Sequence, residues 1–316
     1  MKTEAKKVWM DGKLVDFADA KSHVLGHSLH YGVAVFEGIR AYPTARGVAI
    51  FRLKEHVERF LASARFYFLP VPYSAAEIEQ AIIETTAAND IVPAYIRPLI
   101  YRGEPGLGVK NLTGKVSLTI GIIPASKYLS ATSDEGVKTK ISPFRKPRSD
   151  AIPAWAKAAG NYLNSYLAGI DALKEGYEEA ILLDALGHLA EGTGENIFIV
   201  RNRKLYTPGP ESDILMGVTR DSIIRIARDL DYEVVEKPLS VNELYSADEA
   251  FFSGTYAEIA PIRSVGQYAI GNGKVGPVTR DLSEVYYRAV KGEEKKYAGW
   301  LTLVPKLSTP TVRSRA

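Results

Sequence analysis

Short apolar runs alternate with amphipathic helical runs along this chain, and that alternation most narrows the fold it can adopt. "VAIFRL" (48–53) reads as a strand, and "KEHVERFLASARFYF" behind it spaces Val57, Phe60, Leu61 and Ala64 at helical intervals. Pro70 and Pro72 stop that helix. "SAAEIEQAIIETTAAND" opens with Ser74 as N-cap and Glu77 three residues on, a capping box. "AYIRPLIYR" and "KVSLTIGII" then read as strands around the loop "GEPGLGVKN". Further on, "NYLNSYLAGIDALKEG" sets Leu163, Tyr166, Leu167, Ile170 and Leu173 on one helical face and ends near Gly176. The strands "EAILLD" and "NIFIVRN" flank a turn-rich "ALGHLAEGTGE", and "VTRDSIIRIARDL" is a helix with Ile223, Ile226, Ala227 and Leu230 inward. The fold class is mixed α/β. At 316 residues the chain exceeds most single cores. Two α/β domains are expected, 1–130 and 131–316, with the polar "SATSDEGVKTK" (130–140) inside a connector at about 125–140.

Composition removes several function classes. Hydrophobic residues at 46% and charged residues at 24% match a soluble globular protein. The net charge of +3, with no basic stripe beyond "KGEEKK" and "RSRA", argues against nucleic-acid binding. With no cysteine, disulfides, thiolate nucleophiles and thiolate metal sites drop out. No run of 18 apolar residues suggests a membrane span, and the N-terminal segment has no apolar h-region, so a cytoplasmic location is the expectation. Only Gln80 and Gln267 represent glutamine, which suits a thermophilic source or simple compositional drift.

Four stretches can carry chemistry. In "AWAKAAGNYLNS", Lys157 stands among alanines, a glycine and a tryptophan. Apolar surroundings disfavour the ammonium, so a neutral amine able to attack a carbonyl becomes available; a lysine snorkelling to water is the plainer reading. "EGTGEN" holds Glu191 and Glu195 around two glycines that allow a tight turn. Either acid could sit beside the ring nitrogen of a lysine-linked pyridine cofactor, or both could be exposed on a hairpin. "LMGVTRD" puts Gly217, Val218 and Thr219 at a helix start, a ready anion cradle, and "SGTYAE" repeats the idea after a strand. Arg59 could add a positive charge or be a solvated surface arginine. His23, His27 and His30 recur at i, i+4 and i+7, but glycines at 26 and 32 and the lack of an acidic ligand argue against a metal site. "GEPGLGV" lacks the Lys-Ser/Thr of a P-loop and reads as a substrate-facing loop.

In order and spacing, "GHSLHYGVAVFEGIRAY", "AYIRPLI", "AKAAGNYLNS", "AEGTGENIF", "GVTRD" and "SGTYAEIAPIRSV" resemble the branched-chain-amino-acid aminotransferases, fold-type IV (class IV) pyridoxal-phosphate enzymes. The resemblance spans most of the chain. It implies a small α/β domain beside a larger, pseudo-barrel-like one, bound pyridoxal phosphate (PLP), and ping-pong exchange of an amino group between Leu, Ile or Val and 2-oxoglutarate. It places the Schiff base on Lys157, which also moves the proton between substrate Cα and cofactor C4′. Glu191 matches the acid at the pyridine nitrogen and Tyr162 the phenol at O3′. Arg59, Gly217, Val218, Thr219 and Thr255 match the phosphate cradle, and Leu215 the residue packed on the ring. Phe36, Gly38, Tyr95, Tyr128 and Tyr162 correspond to the substrate wall, and main-chain N–H groups at Thr255, Tyr256 and Ala257 to the α-carboxylate holder. Arg97 matches the residue that receives the γ-carboxylate of glutamate. Tyr31 and Val109 would reach in from a partner subunit, making a homo-oligomer. Two positions depart from the pattern. Ala125 stands where some relatives carry tryptophan, implying looser side-chain selectivity, and Tyr256 stands where alanine is common, implying a narrowed or repositioned site. D-amino-acid aminotransferases and aminodeoxychorismate lyases share this fold and are the alternative readings, with a non-catalytic protein carrying a structural Lys157 as a third.

Overall fold

The computed structural model describes residues 5–125 and 135–305. Its strands form two sheets. The first runs in the order Leu301–Leu303, Gly47–Phe51, Ile39–Thr44, Ala94–Arg102, Val116–Pro124, Lys7–Met10 and Lys13–Asp16, and Ala34–Phe36 also pairs with Ala94–Arg102. Its pairings are antiparallel, so neighbours join through short turns or through a helix laid across one face. Helices α1 (Leu53–Phe66) and α2 (Ala75–Asn89) cover that face, burying Val57, Phe60, Ala64, Ile78 and Ile82 against Ile39, Ile50, Ile96 and Ile120. The capping box forms as expected: Glu77 N–H donates to Ser74 Oγ at 3.3 Å, and Ser74 N–H to Glu77 Oε2 at 2.7 Å. Helix α1 stops at Phe66, before either proline. Phe68 takes a φ of +51°, and the N–H groups of Phe68 and Leu69 turn back to Arg65 and Ala64 carbonyls.

The second sheet closes on itself. Strands Glu179–Leu183, Val137–Arg145, Glu258–Val265, Glu249–Gly254 and Asn196–Arg201 are neighbours in that order, and Leu189–Glu191 pairs with both ends of the series. That ring is the barrel-like unit implied by the resemblance. Ile181, Leu189, Ile197, Phe252, Ala260 and Ile262 belong to one of its cores. Val137–Arg145 begins inside the stretch read from sequence as connector. Helix α3 (Tyr162–Lys174) meets the barrel through Ala168 and Ala172, whose small side chains let the helix approach Ala180 and Leu182. Its apolar stripe faces the other way: Leu163, Tyr166 and Leu173 are exposed. Helices α4 (Val218–Asp229) and α5 (Pro277–Val290) pack on the far side, with Ile223, Ile226, Ala227 and Leu282 fully buried. Leu230, expected inward, is 37% exposed, because α4 ends at Asp229 and Leu230 forms its cap.

The sheets meet through polar contacts and a shared core. Arg52 donates to Ser222 Oγ (3.0 Å) and Asp221 Oδ2 (2.8 Å), and Tyr42 and Phe51 enter the core around Phe198 and Ile223. The Phe36 N–H donates to the Lys157 carbonyl at 3.1 Å. A cleft opens beside that last contact. Among the described residues no helix is long and apolar enough to cross a membrane.

Candidate active site

Lys157 is fixed by its backbone before its side chain is considered. Its N–H donates to Ser63 Oγ of α1 at 3.1 Å, and its carbonyl accepts from Phe36, so the first sheet and the helix packed on it hold this residue. The side chain enters a cleft that Arg59 lines from the first sheet's side and Glu191 and Thr219 line from the second. There Nζ lies 2.5 Å from Tyr162 Oη, and 5.0 Å from the centre of the Phe36 ring. Burial, reinforced by the Arg59 guanidinium, lowers the Lys157 pKa to about 8. Burial and then the Glu191 charge push the Tyr162 phenol well above its ordinary value, so it stays protonated and can donate.

The same cleft is lined by Arg59, Glu191, Leu215, Gly217, Val218, Thr219 and Thr255. All of these were singled out in the sequence. Glu191 is held as an acceptor by Lys146 Nζ (2.6 Å), Leu215 N–H (3.1 Å) and Asn196 Nδ2 (3.2 Å). Burial opposes the Lys146 ammonium, but Glu191, Tyr162 and Asp213 together hold its pKa above that of a free lysine. Glu195, left as an equal candidate by the sequence, has a different environment. Burial, with the Glu179 charge next, pushes its carboxyl well above the carboxylate range, and its Oε2 accepts from Gly194 N–H at 3.1 Å.

At the opposite wall α4 begins with Gly217 as N-cap, and among the described residues no side chain caps its first N–H groups. A Cβ at Gly217 would stand 2.2 Å from Asn196 Oδ1, so only glycine fits. Ser253 Oγ is buried here without a hydrogen-bond partner among the described residues. Arg59 completes the group, reaching the Met216 carbonyl at 3.0 Å. Uncapped N–H groups, a free hydroxyl and a guanidinium make an anion site.

Beyond Phe36 lies an aromatic wall. Arg97 stacks on Phe36 (4.5 Å from its centre) and donates to Tyr95 Oη at 3.1 Å. Tyr256 packs edge-on against Tyr95, with ring centres 4.7 Å apart. Gly38 leaves room for the Tyr95 phenol, since a Cβ there would stand 2.0 Å from Tyr95 Oη and displace that ring. Thr255, Tyr256 and Ala257 form the turn between Glu249–Gly254 and Glu258–Val265, pinned by a 3.0 Å bond from Arg40 Nη1 to the Tyr256 carbonyl.

Tyr31 and Val109 do not line this cleft. They lie together on an exposed face, where Gly108 N–H donates to Tyr31 Oη at 3.0 Å. Tyr128 lies outside the described residues. His23, His27 and His30 each bond to a different loop backbone group, at Leu25, Gly108 and Val24 respectively. Lys146, Asn196 and Ser253 were not singled out. Asn196 and Ser253 sit inside quoted motifs, whereas Lys146, in "FRKPRSD", gave no local sign that it pairs with an acid 45 residues away.

Comparison with known proteins shows the family. The family described as "Amino-transferase class IV" matches residues 34–265. The branched-chain-amino-acid aminotransferase of Salmonella typhimurium is 42% identical over 300 residues, covering 94% of this chain and 97% of that protein. Among solved structures, the branched-chain aminotransferase of Thermoproteus uzoniensis with norvaline is 45% identical, with a TM-score of 0.91 over 95% of this chain and 100% of that one. The T.th. branched-chain amino acid aminotransferase complexed with N-(5'-phosphopyridoxyl)-L-glutamate is 43% identical, with a TM-score of 0.91 over 96% and 99% of the two chains. With most of its length matched on every count, the chain belongs to the class IV aminotransferase family.

Proposed function

We propose that this protein is a PLP-dependent aminotransferase exchanging the amino group of branched-chain L-amino acids with that of glutamate. One observation carries the reading: an amine with a pKa of about 8, a fixed carboxylate and an uncapped anion cradle line one cleft. The residues fit the cofactor. The unpartnered Ser253 hydroxyl, the N–H groups at Val218 and Thr219, Thr255 and Arg59 would hold its phosphate. Tyr162 would hold its phenolic oxygen, Leu215 would pack on its ring, and Glu191 would keep a proton on the ring nitrogen. Bound PLP supplies a carbonyl that captures amines and a ring that draws off negative charge developing at the substrate Cα. Lys157 Nζ takes the proton from that Cα, and the Tyr162 phenol 2.5 Å away orients the amine for the transfer. Phe36, Tyr95 and Tyr162 exclude water and receive an aliphatic side chain, while N–H groups at Thr255, Tyr256 and Ala257 bind the α-carboxylate. The solved relatives bound to norvaline and to a phosphopyridoxyl-glutamate adduct support both halves of the exchange.

Arg97, exposed at the rim of the wall, would receive the γ-carboxylate of glutamate. Arg97→Ala is expected to lower kcat/KM for glutamate about 10- to 100-fold and that for leucine less than about threefold, the loss of one charged hydrogen-bond partner. Equal losses would remove Arg97 from the recognition of glutamate.

The single chain leaves apolar surface uncovered. Leu163, Tyr166 and Leu173 on α3, with Leu107, Val109 and Leu112 beside Tyr31, are all more than 60% exposed, the kind of patch a second subunit covers. A homo-oligomer in which Tyr31 and Val109 meet the partner's cleft accounts for their distance from the cleft of their own chain. The overall reading is tested by the visible spectrum of the purified protein before and after L-leucine. Loss of the cofactor's visible band on adding leucine, and its return with 2-oxoglutarate, is the expected result. A colourless protein that does not take up PLP would overturn it.

A further inference from the structure

Glu37 lies in the "VFEGIRAY" stretch whose neighbours form the substrate wall, yet its side chain is fully buried and turned away from that wall. Its carboxylate is gripped from two sides. Arg59 donates Nε to Oε1 at 2.6 Å and Nη2 to Oε2 at 2.9 Å, a two-point fork. His56, one helical turn before Arg59 and 1% exposed, places Nδ1 2.7 Å from Oε2, and Gly38 N–H donates to the same oxygen at 3.2 Å. Burial lowers the His56 pKa, so the imidazole is neutral and donates to the carboxylate. With the Met216 carbonyl on Nη1, three of the five guanidinium N–H groups are committed, and one on each terminal nitrogen remains for a ligand.

We infer that Glu37, braced by His56, is a positioning residue that aims Arg59 into the anion cradle and thereby sets the cleft's preference for a phosphate-bearing ligand. This rests on the cofactor reading above. A free arginine side chain samples many rotamers, and fixing it has an entropic cost that binding must otherwise meet. Glu37 meets that cost in advance. Its charge acts in the opposite direction, since a carboxylate near the cradle repels an anion. The two effects predict opposite outcomes, which makes the inference decidable.

The measurement is the affinity of the cofactor-free protein for PLP and for pyridoxal, which lacks the phosphate. The wild type is expected to prefer PLP strongly. Glu37→Gln is expected to cut the PLP-to-pyridoxal preference about tenfold, the value of one oriented charged hydrogen bond, and to change nothing further when Arg59 is already Met. An unchanged or increased preference in Glu37→Gln overturns the inference, as would equal losses for both ligands, the mark of a merely structural residue. Should Glu37→Gln fail to fold, Arg59→Lys decides: it keeps the charge but cannot be held as a fork. A tenfold loss of preference there supports aiming, and a retained preference shows that charge alone suffices. A wild-type protein that binds PLP no better than pyridoxal fails the cofactor reading itself, a separate and recognisable result.

Discussion

Lys157→Ala is expected to lower leucine:2-oxoglutarate transamination by at least about four orders of magnitude, since one side chain provides both the attacking amine and the mobile proton. The fold should survive. Both main-chain bonds of this residue, to Ser63 Oγ and from Phe36 N–H, are kept by alanine. The variant also removes a group whose charged form burial disfavours. Its melting temperature should therefore equal or exceed that of the wild type, and a large drop would mean that lost activity reports unfolding. The pH dependence provides an independent check. With a pKa of about 8 the cofactor-free amine is half neutral at pH 8, whereas an ordinary lysine would be about 0.3% neutral there. Uptake of pyridoxal by the cofactor-free protein should rise with pH through about 8 and level off above it. A rate still climbing beyond pH 10 would mean that the cleft does not tune this amine, and appreciable turnover by Lys157→Ala would end the proposed mechanism.

What the sequence made legible, and what it hid, follows from the range of the interactions involved. Capping at Ser74 and Glu77, the strand "AYIRPLIYR" and the inward faces of α1 and α4 are set by neighbours within a few residues, and these formed except at Leu230, which caps α4 partly exposed. The position of Val137–Arg145 was hidden because Lys138 and Lys140 give it the look of a polar loop, whereas Lys140 pairs with Asp171 and Glu175 at the end of α3 and the strand's neighbours are parallel and far along the chain. Helix α3 shows the limit of periodicity. Its large apolar residues form a regular stripe, but Ala168 and Ala172 make the contact with the barrel. The site divides the same way. Gly217 and Lys157 stood out through local oddity, whereas Lys146 and Glu37 act through partners 45 and 22 residues away that look like ordinary surface charges in a linear string.

Glu191→Gln should be the next most damaging change, lowering kcat/KM for leucine by about 10²- to 10³-fold, within the range for losing a charge that stabilises a transition state. Glutamine keeps the shape but cannot hold a proton on a ring nitrogen, so removal of the substrate's Cα proton should become more rate-limiting. The isotope effect with Cα-deuterated leucine should therefore grow. The change also leaves the Lys146 ammonium, now 2.6 Å from a carboxylate oxygen, buried without its anion. Part of any loss could then be instability rather than chemistry. Glu191→Gln with Lys146→Met separates the two, because the double variant restores stability and should not restore the rate. Glu195→Gln is the control that the structure supplies. Burial and the Glu179 charge disfavour the charged form of the Glu195 carboxyl, so a neutral amide there should cost less than about fivefold. A Glu195 variant as impaired as the Glu191 variant would reassign the acid, and with it the electrostatic logic of the cleft.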